Sequence, residues 1–372
     1  MSGLLLITVA IVIVASAAAL NAYMQRRKQR YRMAVCPKCG EASEGFLSKN
    51  DSTQLEWLPH DDDVCCGHVI SESPFEECSY TVPRWQLEVP WLRFAGVGGT
   101  CNAGQTTWNA ACSSRLRPFL TTEQLNLEPL PSAMHEQLKS SWHSIEEHRS
   151  FPAATHRHLQ EPWCLAIRPR TRHSAQRIVA VSDFAGEIPS QETLESHLYR
   201  ILLDKDGYFF FIDLGRLTEE QQRLEVFHRF LVNLRANRGL RNRDSRLSAI
   251  AVCISKLDYL PELVHGLENT ARADRCIQDI QDSGPADEAT TLGAIRRRHE
   301  LILKHSSLFP CVKGLNGRLQ DECGKDGFMF FPMASVGWVG SDLSAAAAIR
   351  PYGVIDPLLW LLHASGMKAL PP

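Results

Sequence analysis

Apolar residues form one long uninterrupted run at the start of the chain and a series of short ones after it. Residues 3–20, "GLLLITVAIVIVASAAAL", carry no charge, and about 18 to 20 apolar residues suffice to span a bilayer as a helix. With Tyr23 as an interfacial residue, the predicted span is residues 3–24. From Trp91 onward, runs of strand length recur: "WLRFAGVGG", "WCLAIRPR", "RIVAVSDFAG", "GYFFFIDLG", "SAIAVCISKLD" and "GFMFFPMASVG". Between them stand stretches with helical spacing, among them "TTWNAACSSRLRPFL" and "TEEQQRLEVFHRFLVNLRAN", and "DPLLWLLHASG" follows the last run. Strands alternating with helices predict an α/β domain over residues 90–365, with a mostly parallel sheet covered on both faces. Residues 121–152 and 274–326 break the alternation and are expected to be insertions; the second holds "QDSGPADEATT" and the helix-like "AIRRRHELILKH". No internal repeat is visible.

Charge settles how the first run is used. A cleaved signal peptide carries its positive residues ahead of the apolar stretch, whereas here Arg26, Arg27, Lys28, Arg30 and Arg32 follow it, although "ASAAALNA" offers small residues for cleavage. The anchor is the stronger expectation, and the positive-inside rule keeps the remainder in the cytoplasm. The chain has 372 residues, 44% of them hydrophobic, and a formal net charge of -2, so no global basic surface points to nucleic acid. Its 12 cysteines are scattered and make no small disulfide framework. Residues 34–82 are rich in turn residues and open with "CPKCG". That knuckle places Cys36 and Cys39 on one tight turn, half of a tetrahedral Zn2+ site. Cys78 with either Cys65 or Cys66 can complete it, His68 being a substitute; the preferred set is Cys36, Cys39, Cys66 and Cys78. The alternative is a reduced, inert pair of thiols in a loop.

The candidate chemistry lies in "GTCNAGQTTW", residues 99–108. Gly99 and Gly104 follow a predicted strand and precede a helix, where backbone amides can converge on a phosphate without side chains in the way. Thr106 stands where a hydroxyl can ligate Mg2+, and Thr107 can support the phosphates. The other pieces come in order, each at a predicted strand end, where open α/β sheets bind ligands. In "DFAGE", Asp183 can reach the Mg2+ shell while the Gly186 amide meets a terminal phosphate. In "CISKLD", Asp258 can accept two hydrogen bonds from the guanine edge while the Lys256 stem lies along the base and Ser255 supplies a hydroxyl. Ser335, in "MASVG", is placed to touch the base through its backbone.

This order of motifs resembles the Ras-like P-loop GTPases. More narrowly, the anchor, "CPKCG", "DFAGE" and "RPYGVIDPLLWLL" look like the bacterial double-GTPase-type proteins associated with conflict and signalling systems. The resemblance covers roughly residues 91–362 with the knuckle in front. It implies a three-layer P-loop fold, GTP or GDP as ligand with Mg2+ on Thr106 and Asp183, unidentified protein partners of a signalling or defence system, and Thr155 in "FPAAT" as a switch threonine closing over Mg2+. It also makes Gln105 and Glu187 the candidate catalytic positions. Gln105 stands where the family has a lysine that neutralises the β- and γ-phosphates, and Glu187 where relatives hold a glutamine that orients the attacking water. A neutral donor makes a weaker bond than a charged one, so slow or absent hydrolysis is expected, with a non-catalytic scaffold as the alternative. Ser255 replaces the usual Asn or Thr and keeps a hydroxyl.

Blander readings attach to several of the same residues. Lys256 beside Asp258 reads equally as a surface ion pair, Asp213 as a strand-end carboxylate facing a loop, and Arg296, Arg297 and Arg298 as a solvated helix face. The aromatic runs at Phe209–Phe211 and Phe328–Phe331 read as core strands.

Overall fold

The computed structural model describes residues 36, 38, 57–60, 63–66, 80–83, 86, 89–98, 104–116, 120–121, 125–152, 161–169, 176–184, 197–214, 220–240, 249–264, 266–337, 349–367 and 369–371. The chain divides into two compact units, Met1–Trp91 and Leu92–Pro372. In the first, β1 (Trp57–His60), β2 (Asp63–Cys66) and β3 (Thr81–Pro83) make an antiparallel sheet in that order. Cys36 is buried and Cys66 ends β2 opposite Trp57. The expected anchor, residues 3–24, and the expected ligands Cys39 and Cys78 lie outside the described residues. Among the described residues, no helix is long and apolar enough to cross a membrane, and no three potential metal ligands cluster.

The second unit is built on an eight-stranded sheet. Its strands are β4 (Trp91–Gly98), β5 (Leu120–Thr121), β6 (Leu125–Pro129), β7 (Trp163–Pro169), β8 (Arg177–Asp183), β9 (Gly207–Asp213), β10 (Ala249–Ser255) and β11 (Phe328–Pro332), in the spatial order β11-β10-β9-β4-β8-β7-β6-β5. The helices are α1 (Gln105–Arg115), α2 (Ala133–His148), α3 (His197–Leu203), α4 (Glu220–Leu240), α5 (Leu260–Leu263), α6 (Leu267–Gln281), α7 (Leu292–Lys304), α8 (Pro310–Cys323) and α9 (Asp356–Leu362).

The sheet is mixed, which corrects the expectation of a mostly parallel one. β4, β9, β10 and β11 run parallel, but β8 pairs antiparallel with β7, β7 with β6, and β6 with β5. Parallel neighbours need a crossover of a dozen or more residues, usually helical, whereas antiparallel strands can follow one another through a short connection. β7 and β8 are such close neighbours in sequence. The segment expected as a first insertion contributes β6 to the sheet and α2, which begins where the Ser132 side chain accepts from His135 N–H at 3.0 Å.

Side chains alternate across the strands and both faces are covered, giving a three-layer arrangement. Phe94, Phe209, Phe211, Ala251, Cys253, Met329 and Phe331 face a core closed by α1, α2 and α9. Ala95, Tyr208, Phe210, Ile250, Val252 and Phe330 face a second core closed by α3, α4, α6 and α8. Covering on both sides explains why β9 reads as an unbroken apolar run rather than an alternating one, and both aromatic runs are buried as expected. The segment expected as a second insertion supplies part of α6, then α7 and α8, and buries Ile280, Ile302, Val312 and Leu319 in the second core.

Arg298 is not on a solvated face. Successive helical residues point about 100° apart, so the three arginines of α7 separate: Arg296 and Arg297 are exposed, while Arg298 is 1% exposed. Its guanidinium donates to Asp356 Oδ2 at 2.6 Å, Thr290 Oγ1 at 2.7 Å and the Pro285 carbonyl at 3.0 Å. Asp356 Oδ1 accepts from Asp287 N–H, and the Asp287 carboxylate accepts from Gly353 and Ile355 N–H. Burial pushes the Asp356 carboxyl up to about 7, against the pull of Arg298 and with the help of Asp287. At the sheet edge, His299 of α7 stacks on Phe330 and its Nδ1 accepts from Phe330 N–H at 3.1 Å, capping an edge-strand donor.

Arg298→Met would leave the Asp356 carboxylate buried without its cation, and urea denaturation is expected to show a loss of about 3–5 kcal/mol. His299 can accept only while neutral, and burial lowers it to about 4. An unfolded histidine takes up its proton near pH 6.5, so the His299 contribution is complete above that pH and is lost as pH falls toward about 4. The difference in unfolding free energy between wild type and His299→Gln should therefore be constant above about pH 6.5 and move against wild type below it.

Candidate functional site

The four parallel strands end in step. Gly98 stands beside Phe211, Ser255 beside Asp213 and Ile254 beside Pro332, which aligns their C-terminal ends along the edge where open α/β sheets hold ligands. Beyond β4, Gly104 caps α1 with φ 87 and ψ 9, a left-handed conformation that glycine adopts without steric cost. Its carbonyl accepts from Trp108 N–H at 2.8 Å and starts the helix. A Cβ on Gly104 would lie 3.6 Å from Ser255 Cβ, so the start of α1 abuts the end of β10.

β8 delivers Asp183 to the same place. Phe184 N–H reaches the Gly96 carbonyl at 3.4 Å. Asp183 Oδ2 accepts from Thr106 Oγ1 at 3.0 Å, and Asp183 Oδ1 accepts from Gln105 Nε2 at 3.1 Å. The same Gln105 nitrogen donates to the Phe184 carbonyl at 2.8 Å, and Gln105 is 6% exposed. Gly96 makes room for this amide, since a Cβ there would sit 3.2 Å from Gln105 Nε2. Thr107 is half-buried in the next position of the helix.

The opposite side of the edge is formed by the segments after β10 and β11. Ser255 is buried, and its hydroxyl donates to the Ile212 carbonyl at 3.0 Å. Lys256 adopts φ 58 and pairs with Asp213 at 2.8 Å, not with Asp258. Asp213 does not face a loop as a solvated group: its side chain is fully buried against that ammonium. Asp258 is buried in the turn Leu257–Tyr259. Leu257 N–H donates to the Met333 carbonyl at 3.1 Å and Met333 N–H to the Ile254 carbonyl at 2.9 Å, lashing the Asp258 turn to the loop that carries Ser335. That loop is pinned in turn by the Ala334–Tyr352 bridge. Burial first, then the Asp258, Glu262 and Asp213 carboxylates, push the Tyr259 phenol up.

The structure thus brings Gly104, Gln105, Thr106 and Asp183 into one cluster, sets Ser255 against Gly104, and ties Asp258 to the Ser335 loop. Gly99, Thr155, Gly186 and Glu187 lie outside the described residues. Sequence reasoning missed three further features around the end of β8: the Phe184 carbonyl, Gly96 as the space for Gln105, and buried Lys205. Lys205 is 2% exposed, with Nζ 3.2 Å from Ser182 Oγ and 5.5 Å from the Phe184 ring centre, on the far side of the end of β8. These depend on long-range contacts with no local spacing to announce them. Gly96 alone could have been flagged, as a glycine inside a strand, which often marks a close approach of another group.

Chemically, a helix N-terminus behind a left-handed glycine suits an anion. Thr106 Oγ1 and Asp183 Oδ2 are adjacent hard oxygens of the kind Mg2+ accepts. A buried carboxylate at the far end of the rim suits a ligand edge that presents hydrogen-bond donors.

No family model matches the chain, and no curated protein matches it. Among solved structures, the GTPase-like domain of Ski7 from S. cerevisiae, bound to GTP, is similar at 15% identity and a TM-score of 0.33, over 74% of this chain and 50% of that one. Sup35 complexed with GDP is similar at 11% identity and a TM-score of 0.28, over 74% and 45%. The chain spans about half the length of these two proteins.

Proposed function

We propose that the protein is a membrane-anchored, GTPase-like protein that binds a guanine nucleotide with Mg2+ at the edge formed by β4, β8, β9, β10 and β11. The observation that carries this is the convergence of Gly104, Thr106 and Asp183 at one end of that edge with Asp258 and the Ser335 loop at the other. Phosphates would meet the backbone amides before α1, and Thr106 and Asp183 would hold the cation. Asp258 would accept from the two donors of the guanine edge, a geometry adenine cannot offer. When bound, Mg2+ supplies Lewis-acid polarisation of the terminal phosphate.

The scaffold alternative has its own support. Gln105, in the place of the lysine that serves the phosphates, is engaged with Asp183 and Phe184. Slow or absent hydrolysis follows from either reading. We propose further that it is a bacterial double-GTPase-type protein of a conflict or signalling system, held at the inner membrane by residues 3–24, with Zn2+ on Cys36, Cys39, Cys66 and Cys78.

Titration of the purified chain with labelled GTP, GDP and ATP in Mg2+ should show guanine preference. Asp258→Ala should erase that preference through a loss of at least about tenfold in GTP and GDP affinity, the cost of leaving a buried donor pair unmet. No nucleotide binding to the wild-type chain would favour the scaffold. The intact protein should sediment with membranes and carry about one zinc per chain by metal analysis; a soluble, zinc-free protein would refute both assignments.

A further inference from the structure

We infer that Gln105 is an internal latch, not a phosphate ligand: its amide ties the first turn of α1 to the end of β8. The inference rests on the nucleotide-binding reading above and specifies how that site treats its ligand. A carboxamide nitrogen has two hydrogens. Both are engaged here, one on Asp183 Oδ1 at 3.1 Å and one on the Phe184 carbonyl at 2.8 Å. The side chain is almost wholly buried and lies over Gly96, where a Cβ would sit 3.2 Å from the amide nitrogen. To offer a hydrogen to a phosphate oxygen, Gln105 would have to strip one from a buried carbonyl or carboxylate, an exchange with little net gain.

The neighbouring cation is committed in a similar way. The Lys256 ammonium is held at 2.8 Å by buried Asp213, which leaves its carbon stem, not its charge, to face a ligand.

The test uses the full chain and two readouts. The first is competition binding of GMP, GDP and GTP in Mg2+ to wild type and Gln105→Met, a variant of similar length without donors. A latch predicts that the variant weakens all three ligands by one common factor, about three- to tenfold. The second is hydrogen exchange in ligand-free protein, where peptides covering residues 105–116 and 176–184 should exchange faster in Gln105→Met. Gly96→Ala, which crowds the amide from below, should shift exchange in the same segments. A loss confined to GDP and GTP, with GMP affinity intact, would make Gln105 a phosphate donor and overturn the inference. If wild type binds no guanine nucleotide at about 1 mM, the nucleotide reading falls and exchange alone decides the latch. Faster exchange in the variant then sustains it, and exchange unchanged from wild type overturns it.

Discussion

The Asp183 carboxylate is the contact on which the candidate site depends. One oxygen takes the Thr106 hydroxyl and the other the Gln105 amide, so a single side chain at the end of β8 fixes the first turn of α1. A helix N-terminus attracts an anion only if its amides are aimed at a defined point. Here the aim is set by Gly104 on one side, where the backbone must turn left-handed, and by Asp183 on the other. The parallel register of β4, β9, β10 and β11 then places the remaining groups at the same level.

Charges inside the domain follow one pattern. Asp213 meets Lys256, Asp356 meets Arg298, and both carboxylates are withdrawn from water. Such pairs add little net stability, because their attraction is offset by desolvation. What they contribute is geometry: a partner misplaced by even a short distance would leave a buried charge uncompensated. The first pair sets the chain path after β10 and the second locks α7 to the first residue of α9. Tyr352 connects these regions, since its hydroxyl donates to the Ile280 carbonyl while its backbone pairs with Ala334 beside Ser335. The base-side loop is thus braced by helices distant from it in sequence.

Strand runs and glycine spacing made the alternating half of the sheet readable from the sequence, because apolar periodicity and left-handed turns are local properties. The runs "GYFFFIDLG" and "SAIAVCISKLD" became β9 and β10, and "DPLLWLLHASG" contains α9. The antiparallel half was not readable, since nothing in "WCLAIRPR" says which neighbour it joins or in which direction. The same limit hid the burial of Arg298, whose partner Asp356 lies 58 positions away, and the use made of Gln105, whose partners lie 78 and 79 positions away. A motif names the residue types at a site. Whether each side chain turns toward a ligand or toward its own fold is decided by contacts that a motif does not contain.

The helix α9 adds a matter of timing. Every residue from Asp356 to Leu362 is buried, and Trp108, in the helix behind the phosphate-type turn, donates its indole N–H to the Val354 carbonyl at 2.7 Å. The first core therefore stays open to water on the ribosome until the segment around residues 354–362 has emerged, however early the strands have formed. Until α9 packs, the growing chain shows water the aromatic face of Phe94, Trp108, Phe209 and Phe211, a surface prone to association with other chains.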